Sequence, residues 1–292
     1  MTHRIAEAAH TPGEAIAHLK KLGQPIVMVT AYDYNSAVAV ESAGVDIVLV
    51  GDSAAMTTLG YSSTRLVSLD EMLMLTRAVK RGLAHTMLVG DLPFGTYEAS
   101  DRLALETARR FIDVGCDAVK LEGGATERVS RARALTSAGI PVMGHVGLTP
   151  QSTGVGEAYH VQGRTATQAL QVLREAKALQ DAGCFVLVFE AIPADVTALL
   201  APHIGIPVIG IGAGPATDGQ VLVFDDVVGL SGGRQAKFVK RYAEVRSEFS
   251  TAIAAFADDV RAKRFPTPAN AYGVDAAELD TLRSALGRSG FL

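Results

Sequence analysis

The chain has 292 residues, of which 48% are hydrophobic and 20% are charged, and its formal net charge is -4. This length is ample for one large hydrophobic core. The slightly acidic charge, without blocks of lysine or arginine, argues against nucleic acid and anionic membranes as partners and favours small solutes. Residues 1–23 lack the apolar core of a signal peptide, and no run reaches the ~20 apolar residues of a membrane-spanning helix, so we expect a cytoplasmic protein. Cys116 and Cys184 precede apolar runs and are expected to pack as small hydrophobes.

Short apolar runs alternate with helical patterns along most of the chain. After an amphipathic leading helix predicted at residues 11–22, the β-rich runs lie at 25–30, 44–52, 85–89, 115–122, 139–145, 183–190, 205–212 and 220–224. Five of these runs begin at a glycine that is expected to end the preceding helix. Helical periodicity connects most of the runs, at 68–81, 102–114, 126–138 and 165–182.

Eight strand–helix units in sequence favour an α/β fold of the (β/α)8, or TIM-type, barrel class. The apolar runs are continuous, as expected for parallel strands that are covered on both faces. An open, doubly wound sheet is the structural alternative. We predict one barrel domain over residues 1–292, with a leading helix in 1–24 and trailing helices in 235–292 as appendages, the first of them at 235–263. The polar, glycine-rich stretch 147–163 is predicted to form a flexible loop over the barrel rim.

Four acidic residues each stand at the end of a predicted strand, namely Asp52, Asp91, Glu122 and Glu190. The carboxyl ends of parallel strands share a rim, which is where α/β folds place their active sites. Three carboxylates without a Cys/His cluster suit Mg²⁺ first and Mn²⁺ second. Asp52 and Asp91 could instead be turn residues that bond to their own backbone.

Lys120 lies two residues before Glu122 on the same predicted strand, so both side chains are expected to enter the barrel interior. A structural ion pair is the alternative, although such pairs add little net stability. Glu190 follows an apolar run, a setting that suits a general base, or it could be the acid at the start of a helix that begins directly after it. His145 could bond a substrate hydroxyl or be a structural histidine. The glycine-rich stretch 209–220 does not fit the dinucleotide fingerprint and is predicted to form a tight rim turn.

Several longer motifs resemble those of the ketopantoate hydroxymethyltransferase family. They are 29–34 (Val-Thr-Ala-Tyr-Asp-Tyr), 50–53 (Val-Gly-Asp-Ser), 91–94 (Asp-Leu-Pro-Phe), 119–124 (Val-Lys-Leu-Glu-Gly-Gly), 144–152 (Gly-His-Val-Gly-Leu-Thr-Pro-Gln-Ser), 161–164 (Val-Gln-Gly-Arg), 207–214 (Pro-Val-Ile-Gly-Ile-Gly-Ala-Gly) and 218–220 (Asp-Gly-Gln). The resemblance implies a (β/α)8 enzyme of pantothenate biosynthesis. Such an enzyme moves a hydroxymethyl group from 5,10-methylenetetrahydrofolate to 3-methyl-2-oxobutanoate, which gives 2-dehydropantoate. It also implies one Mg²⁺ per subunit and a homo-oligomer, usually a decamer.

Carried over by position, the resemblance implies roles for individual residues. The metal ligands fall on Asp52, Asp91 and Glu122. The substrate contacts fall on Asp52, Ser53, Asp91 and Lys120. Glu190 is implied as the base that removes the C3 proton of the 2-oxo acid, while the metal and Lys120 stabilise the enolate. His145 is expected to hold the new hydroxyl.

The chain departs from the family pattern in its rim loops, at Ala54, Ala55, Arg65, Glu157, Ala158, His160 and Asp225. A sister enzyme with aldol-type or lyase chemistry on a related 2-oxo acid is therefore the nearest alternative. A lyase or mutase resembling the phosphoenolpyruvate mutase and isocitrate lyase group would share the barrel and Mg²⁺, but its Lys-Cys-Gly-His loop is missing here. A non-catalytic metal or metabolite binder is the third alternative, and it would have no need of Glu190.

Overall fold

The computed structural model describes residues 12–154, 156–232 and 235–288. Within them, eight parallel strands form a closed barrel in which each strand pairs with the next and the last pairs with the first. The strands are β1 Ile26–Thr30, β2 Ile47–Val50, β3 Met87–Asp91, β4 Ala118–Glu122, β5 Val142–Gly147, β6 Val186–Glu190, β7 Val208–Ile211 and β8 Gly219–Leu222. The predicted (β/α)8 fold is confirmed, and the open sheet is excluded.

Helices precede the barrel, connect its strands and follow it. They are α1 Pro12–Lys21, α2 Tyr34–Ala43, α3 Ala54–Thr57, α4 Leu69–Gly82, α5 Asp101–Asp113, α6 Thr126–Ser137, α7 Ala166–Asp181, α8 Ala194–Leu200, α9 Phe224–Val227, α10 Val245–Arg261 and α11 Ala276–Arg288. Among the residues that the structure describes, no helix is both long and apolar enough to cross a membrane. Residues 1–11 of the predicted leading segment and 289–292 of the trailing one lie outside the described residues.

The chain divides into two compact units, Met1–Ala243 with the barrel and Glu244–Leu292 with α10 and α11. The first trailing helix was predicted from residue 235, and this start is wrong, because α10 begins at Val245. A side-chain carbon added at Gly212 would lie 2.7 Å from the Phe238 ring, so this ring packs directly against the glycine. The Tyr242 N–H donates to the Val227 carbonyl over 2.9 Å. These tertiary contacts thus override the helical periodicity of residues 235–244.

The interior of the barrel near the amino ends of the strands is filled by an apolar cluster, here called the inner apolar layer. Its strand residues are Ile26, Met28, Ile47, Leu49, Met87, Val89, Ala118, Met143, Val186, Val188, Ile209 and Val221. They alternate along each strand, as inward-facing positions must. Ile16 and Leu19 of α1 join the same cluster, so the leading helix belongs to the barrel core.

A second apolar cluster fills the space between the strands and the surrounding helices. Cys116 and Cys184 lie in it as buried free thiols, and burial raises the pKa of each to about 12. Neutral, buried thiols behave as small hydrophobes. The predicted packing role of both cysteines is confirmed.

Candidate active site

Strand register brings the predicted polar residues together at the carboxyl end of the barrel. Asp91 on β3 pairs with Lys120 on β4, and Glu122 on β4 pairs with His145 on β5. Glu190 is the last residue of β6. Together with Asp52, which lies two residues after the end of β2, these side chains form what we call the polar layer. It consists of Asp52, Asp91, Lys120, Glu122, His145 and Glu190.

Lys120 is the central cation of the polar layer. Its Nζ atom donates to Oδ1 and Oδ2 of Asp91 over 2.8 and 2.7 Å and lies 3.7 Å from Oε1 of Glu122. The Asp52 backbone N–H donates to Oδ2 of Asp91 over 3.2 Å. All four residues are buried. The prediction that Lys120 and Glu122 point into the barrel together is confirmed.

The buried acids of this group repel one another. Burial raises the pKa of Asp52 well above its usual range, and repulsion from Asp91 and Glu122 adds to the effect. Burial also raises the pKa of Asp91, although Lys120 opposes it. Burial disfavours the charged form of Lys120, but attraction to Asp91 and Glu122 outweighs burial and raises its pKa. One ammonium group therefore faces three carboxyl groups.

His145 lies between two of the predicted functional acids. Its Nδ1 atom is 3.5 Å from Oε1 of Glu122, and its Nε2 atom is 3.2 Å from Oε2 of Glu190, although neither contact is a directed hydrogen bond. Burial favours the neutral ring, but the two carboxylates outweigh it and raise the pKa of His145 to about 9. Burial would raise the pKa of Glu122, yet His145 and Lys120 together hold it below its usual value. His145 is therefore a second buried cation at neutral pH.

Glu190 is the most accessible acid of the polar layer, with 18% of its side chain exposed. The following residue, Ala191, has a left-handed φ of 49°, and its N–H donates to the Ile211 carbonyl over 2.9 Å. The chain turns here, and α8 begins only at Ala194, so the expectation of a helix directly after Glu190 is wrong. At Gly147, φ is 94° and an added side-chain carbon would lie 2.3 Å from the Glu190 carbonyl oxygen. Only glycine allows this approach beside Glu190.

Ser53 lines the same cavity and is fixed by a tyrosine that the sequence did not single out. Its hydroxyl lies 2.7 Å from the Tyr32 hydroxyl and makes no cap bond to α3, although Ser53 directly precedes that helix. Tyr32 is buried, which raises its pKa and keeps it neutral. Tyr32 thereby fixes the Ser53 hydroxyl, which does not cap α3.

A cavity of about 950 Å³ lies above the polar layer. All of the residues for which a metal, substrate or catalytic role was predicted line it, namely Asp52, Ser53, Asp91, Lys120, Glu122, His145 and Glu190. Its mouth is bordered by Tyr159, His160, Val161 and Arg164, and by Ile211, Gly212 and Gly214. The predicted loop over the rim and the predicted glycine-rich turn therefore both border the cavity. The volume suits a small-molecule or cofactor site.

The departures from the family pattern lie around this rim. His160 borders the cavity directly, whereas Ala54 and Ala55 are buried in α3. The Arg65 guanidinium lies 3.9 Å from the centre of the Phe94 ring and donates to the Thr153 carbonyl over 3.4 Å. Arg65 therefore connects two rim loops, a contact that an apolar residue could not make.

Gln151 and Tyr97 also contact the polar layer, and sequence reasoning assigned neither of them a role. Gln151 lies in a short 3₁₀ helix, Pro150–Ser152, and its side-chain amide donates to Oδ2 of Asp52 over 3.0 Å. Tyr97 is fully buried and donates to the Gln151 side-chain oxygen over 2.7 Å. No spacing could signal this pair, because the two residues are 54 positions apart.

The chemistry of Asp52, Asp91 and Glu122 suits ligands of a divalent cation. They offer only carboxylate oxygens, and Asp91 and Glu122 repel the charged form of Asp52, which a bound hard cation such as Mg²⁺ would offset. Throughout residues 12–154, 156–232 and 235–288, no three His, Cys, Asp or Glu side chains are arranged as a ready metal site. The Lys120 ammonium, 2.7 Å from Asp91 and 3.7 Å from Glu122, lies among the same oxygens.

Comparison with known families identifies the group to which this site belongs. Residues 12–268 match the family described as ketopantoate hydroxymethyltransferase. The chain belongs to this family. Membership confirms the resemblance read from the motifs and the prediction of an enzyme of the transferase class.

Two relatives show how far the similarity extends. The chain is 49% identical over 255 residues to a protein of Shouchella clausii (strain KSM-K16) named 3-methyl-2-oxobutanoate hydroxymethyltransferase, a match that covers 87% of this chain and 91% of that protein. It is 46% identical over 286 residues to an Arabidopsis thaliana protein named 3-methyl-2-oxobutanoate hydroxymethyltransferase 1, mitochondrial, covering 94% of this chain and 82% of that protein.

Among solved structures, a phosphonopyruvate hydrolase in complex with oxalate and Mg²⁺ is similar with a TM-score of 0.59. The match covers 95% of this chain and 99% of that one, at 13% sequence identity. At this identity the likeness shows the barrel fold alone. The family match therefore favours the transferase over the lyase or mutase alternative.

Proposed function

We propose that this chain transfers a hydroxymethyl group from 5,10-methylenetetrahydrofolate to 3-methyl-2-oxobutanoate, which gives 2-dehydropantoate. The observation that carries the proposal is the placement of the Glu190 carboxylate, 3.2 Å from the buried cation His145, in the cavity that also holds Asp91 and Lys120. A base and fixed positive charges around one cavity suit the removal of a proton next to a carbonyl group. The names of relatives at 46–49% identity support this acceptor.

Asp52, Asp91 and Glu122 would hold Mg²⁺ in this reaction. When bound, the ion supplies a Lewis acid that stabilises negative charge on the oxygens of the 2-oxo acid. The oxygen-only donors of the three buried acids, and the repulsion that raises the pKa of Asp52, support this role. Mg²⁺ is preferred over Zn²⁺, since the three acids supply only oxygen atoms and no cysteine lies in the polar layer.

The side chains of the polar layer and Ser53 would remove the proton, stabilise the negative charge and bind the acceptor. Glu190 would accept the C3 proton, and protonated His145 attracts the Glu190 carboxylate and would hold the new hydroxyl. Lys120 brings positive charge to the oxygens of the acceptor. The Ser53 hydroxyl, held by Tyr32, donates to the acceptor carboxylate.

The rim has space for the one-carbon donor. The cavity of about 950 Å³ is far larger than the small acceptor requires, and its mouth carries the aromatic ring of Tyr159 and the side chains of His160 and Arg164. These groups suit a flat, carboxylate-bearing molecule such as a folate. The homo-oligomeric state, usually a decamer in the family, the cytoplasmic location and the flexibility of the rim loop stay predictions.

The first test of this proposal is deuterium exchange at C3 of 3-methyl-2-oxobutanoate, followed by NMR in D₂O with Mg²⁺. We expect wild-type protein to exchange the proton, and Glu190→Gln to exchange it about 10²- to 10⁴-fold more slowly, because the base is lost. Glu127→Gln, an exposed acid in the first turn of α6, is the matched control and should exchange at the wild-type rate. Equal rates for wild type and Glu190→Gln, or no exchange at all, would contradict the proposal.

The second test adds 5,10-methylenetetrahydrofolate to the exchanging mixture. Formation of 2-dehydropantoate, detected by mass spectrometry, is the expected result. Exchange that continues without product would instead support the sister enzyme that acts on a related 2-oxo acid. Donor and acceptor assignments are thus tested separately from proton removal.

A further inference from the structure

A single glutamine joins two of the acids that would hold the cation. The Gln151 side-chain nitrogen donates to Oδ2 of Asp52 and to the Leu92 carbonyl, each over 3.0 Å, and its backbone N–H donates to Oε2 of Glu122 over 3.0 Å. Gln151 is 3% exposed and does not line the cavity. It therefore contacts the acids without lining the cavity in which a substrate would bind.

The surrounding bonds fix which way the Gln151 amide faces. Asp52 and the Leu92 carbonyl both accept hydrogen bonds, so only the NH₂ group can face them. The amide oxygen then accepts from the Tyr97 hydroxyl over 2.7 Å, and the Tyr97 oxygen accepts from the Glu122 backbone N–H over 3.2 Å. Both amide hydrogens and the hydroxyl hydrogen of Tyr97 are used. A closed and fully satisfied network of this kind has one arrangement, and a partly satisfied one is costly.

We propose that Gln151 is a positioning residue that holds the Asp52 and Glu122 carboxylates where they bind the divalent cation, and that Tyr97 fixes the orientation of its amide. The inference rests on the proposed function, because that function assigns the cation to these acids. Repulsion among the buried acids would otherwise drive Asp52 and Glu122 apart. Hydrogen bonds from behind the ligands resist this, as partners of metal-binding carboxylates commonly do.

The network also joins the site to the loop above it. Gln151 lies in the segment that leads from β5 to the cavity mouth at Tyr159, and both its backbone and its side chain bond to the polar layer. The beginning of that segment is therefore fixed by the same bonds that hold the acids.

The experiment is a titration of the metal-free, full-length protein with Mn²⁺, without substrate, in which free Mn²⁺ is measured by electron paramagnetic resonance. We expect Gln151→Met to weaken Mn²⁺ binding by about 10- to 100-fold, the usual effect of losing a partner of metal ligands. Tyr97→Phe should weaken it by about 2- to 10-fold, which corresponds to one hydrogen bond. Gln171→Met, an exposed glutamine on α7, is the matched control and should bind as wild type does.

Three outcomes separate the possible failures. If Asp52→Asn abolishes Mn²⁺ binding but Gln151→Met binds within twofold of wild type, the positioning role is wrong and the proposed function stands. If wild type binds no Mn²⁺ that depends on Asp52, the metal assignment fails and this inference fails with it. If Gln151→Met does not fold by circular dichroism, Tyr97→Phe decides, and wild-type affinity in that variant overturns the inference. A purely structural role would lower the unfolding midpoint of either variant and leave Mn²⁺ affinity unchanged.

Discussion

The inner apolar layer and the polar layer occupy the same barrel and the same strands, yet they contribute to the molecule in opposite ways. On β3, Met87 and Val89 belong to the apolar layer and Asp91 belongs to the polar one. On β4, Ala118 belongs to the apolar layer, and Lys120, two residues later, belongs to the polar one. Burying apolar side chains stabilises the fold, whereas removing charged groups from water has a desolvation penalty that their mutual attraction offsets only in part. Within the barrel interior, the apolar layer therefore stabilises the fold, and the polar layer serves the site rather than stability.

The largest expected effect comes from placing a charge in the inner apolar layer. Ile209→Asp would bury an unpaired carboxylate at a fully buried position, and we expect it to cost more than about 5 kcal/mol of unfolding free energy, since burial of the isoleucine is lost as well. The measurement is the yield of folded protein by circular dichroism. Ile209→Val, which keeps the layer apolar, should cost only about 1 kcal/mol. A folded Ile209→Asp protein of normal stability would break the contrast between the layers.

A smaller effect is expected from removing the central cation of the polar layer. Lys120→Met leaves Asp91 and Glu122 without their shared ammonium, and we expect a loss of about 3 to 5 kcal/mol in the metal-free protein. Urea denaturation measures the change. The exposed Lys177→Met on α7 serves as the control and should stay within about 0.5 kcal/mol of wild type. If Lys120→Met were as stable as wild type, the polar layer would not carry the cost that we assign to it.

The smallest effect is the pH dependence that arises from His145. Its pKa of about 9 in the folded protein lies above the ordinary value of 6.5, so protonation favours the fold. This contribution is complete below about pH 6.5 and is lost as the pH rises through about 9, which predicts a decrease of about 1 to 3 kcal/mol over that window. Urea denaturation of metal-free protein at about pH 7 and pH 9.5 tests it. His145→Gln should flatten the dependence, and an unchanged slope in that variant would rule out His145 as its source.

The sequence predicted the parts of the molecule that depend on short-range patterns. Lys120 and Glu122 are two residues apart in an apolar run, which was enough to place both in the barrel interior. The bond between Tyr97 and Gln151 connects residues 54 positions apart, and nothing local in either segment indicates it. The stretch around Phe238 has a helical pattern but forms no helix. There the Phe238 ring packs against Gly212, a residue distant in sequence. Local periodicity therefore identified the strands and their acids, and tertiary contacts decided the rest.

The alternation along the strands has an evolutionary consequence. Asp91 follows Val89, Lys120 follows Ala118 and Glu190 follows Val188, each by two residues, which is roughly 6 to 7 Å along a strand. A substitution at the strand end can change which group faces the substrate while the apolar neighbour below it stays in place. A lineage with this barrel can therefore acquire new chemistry one residue at a time without first rebuilding its core. The phosphonopyruvate hydrolase, which shares the barrel fold at 13% identity, shows that very different sequences adopt this architecture.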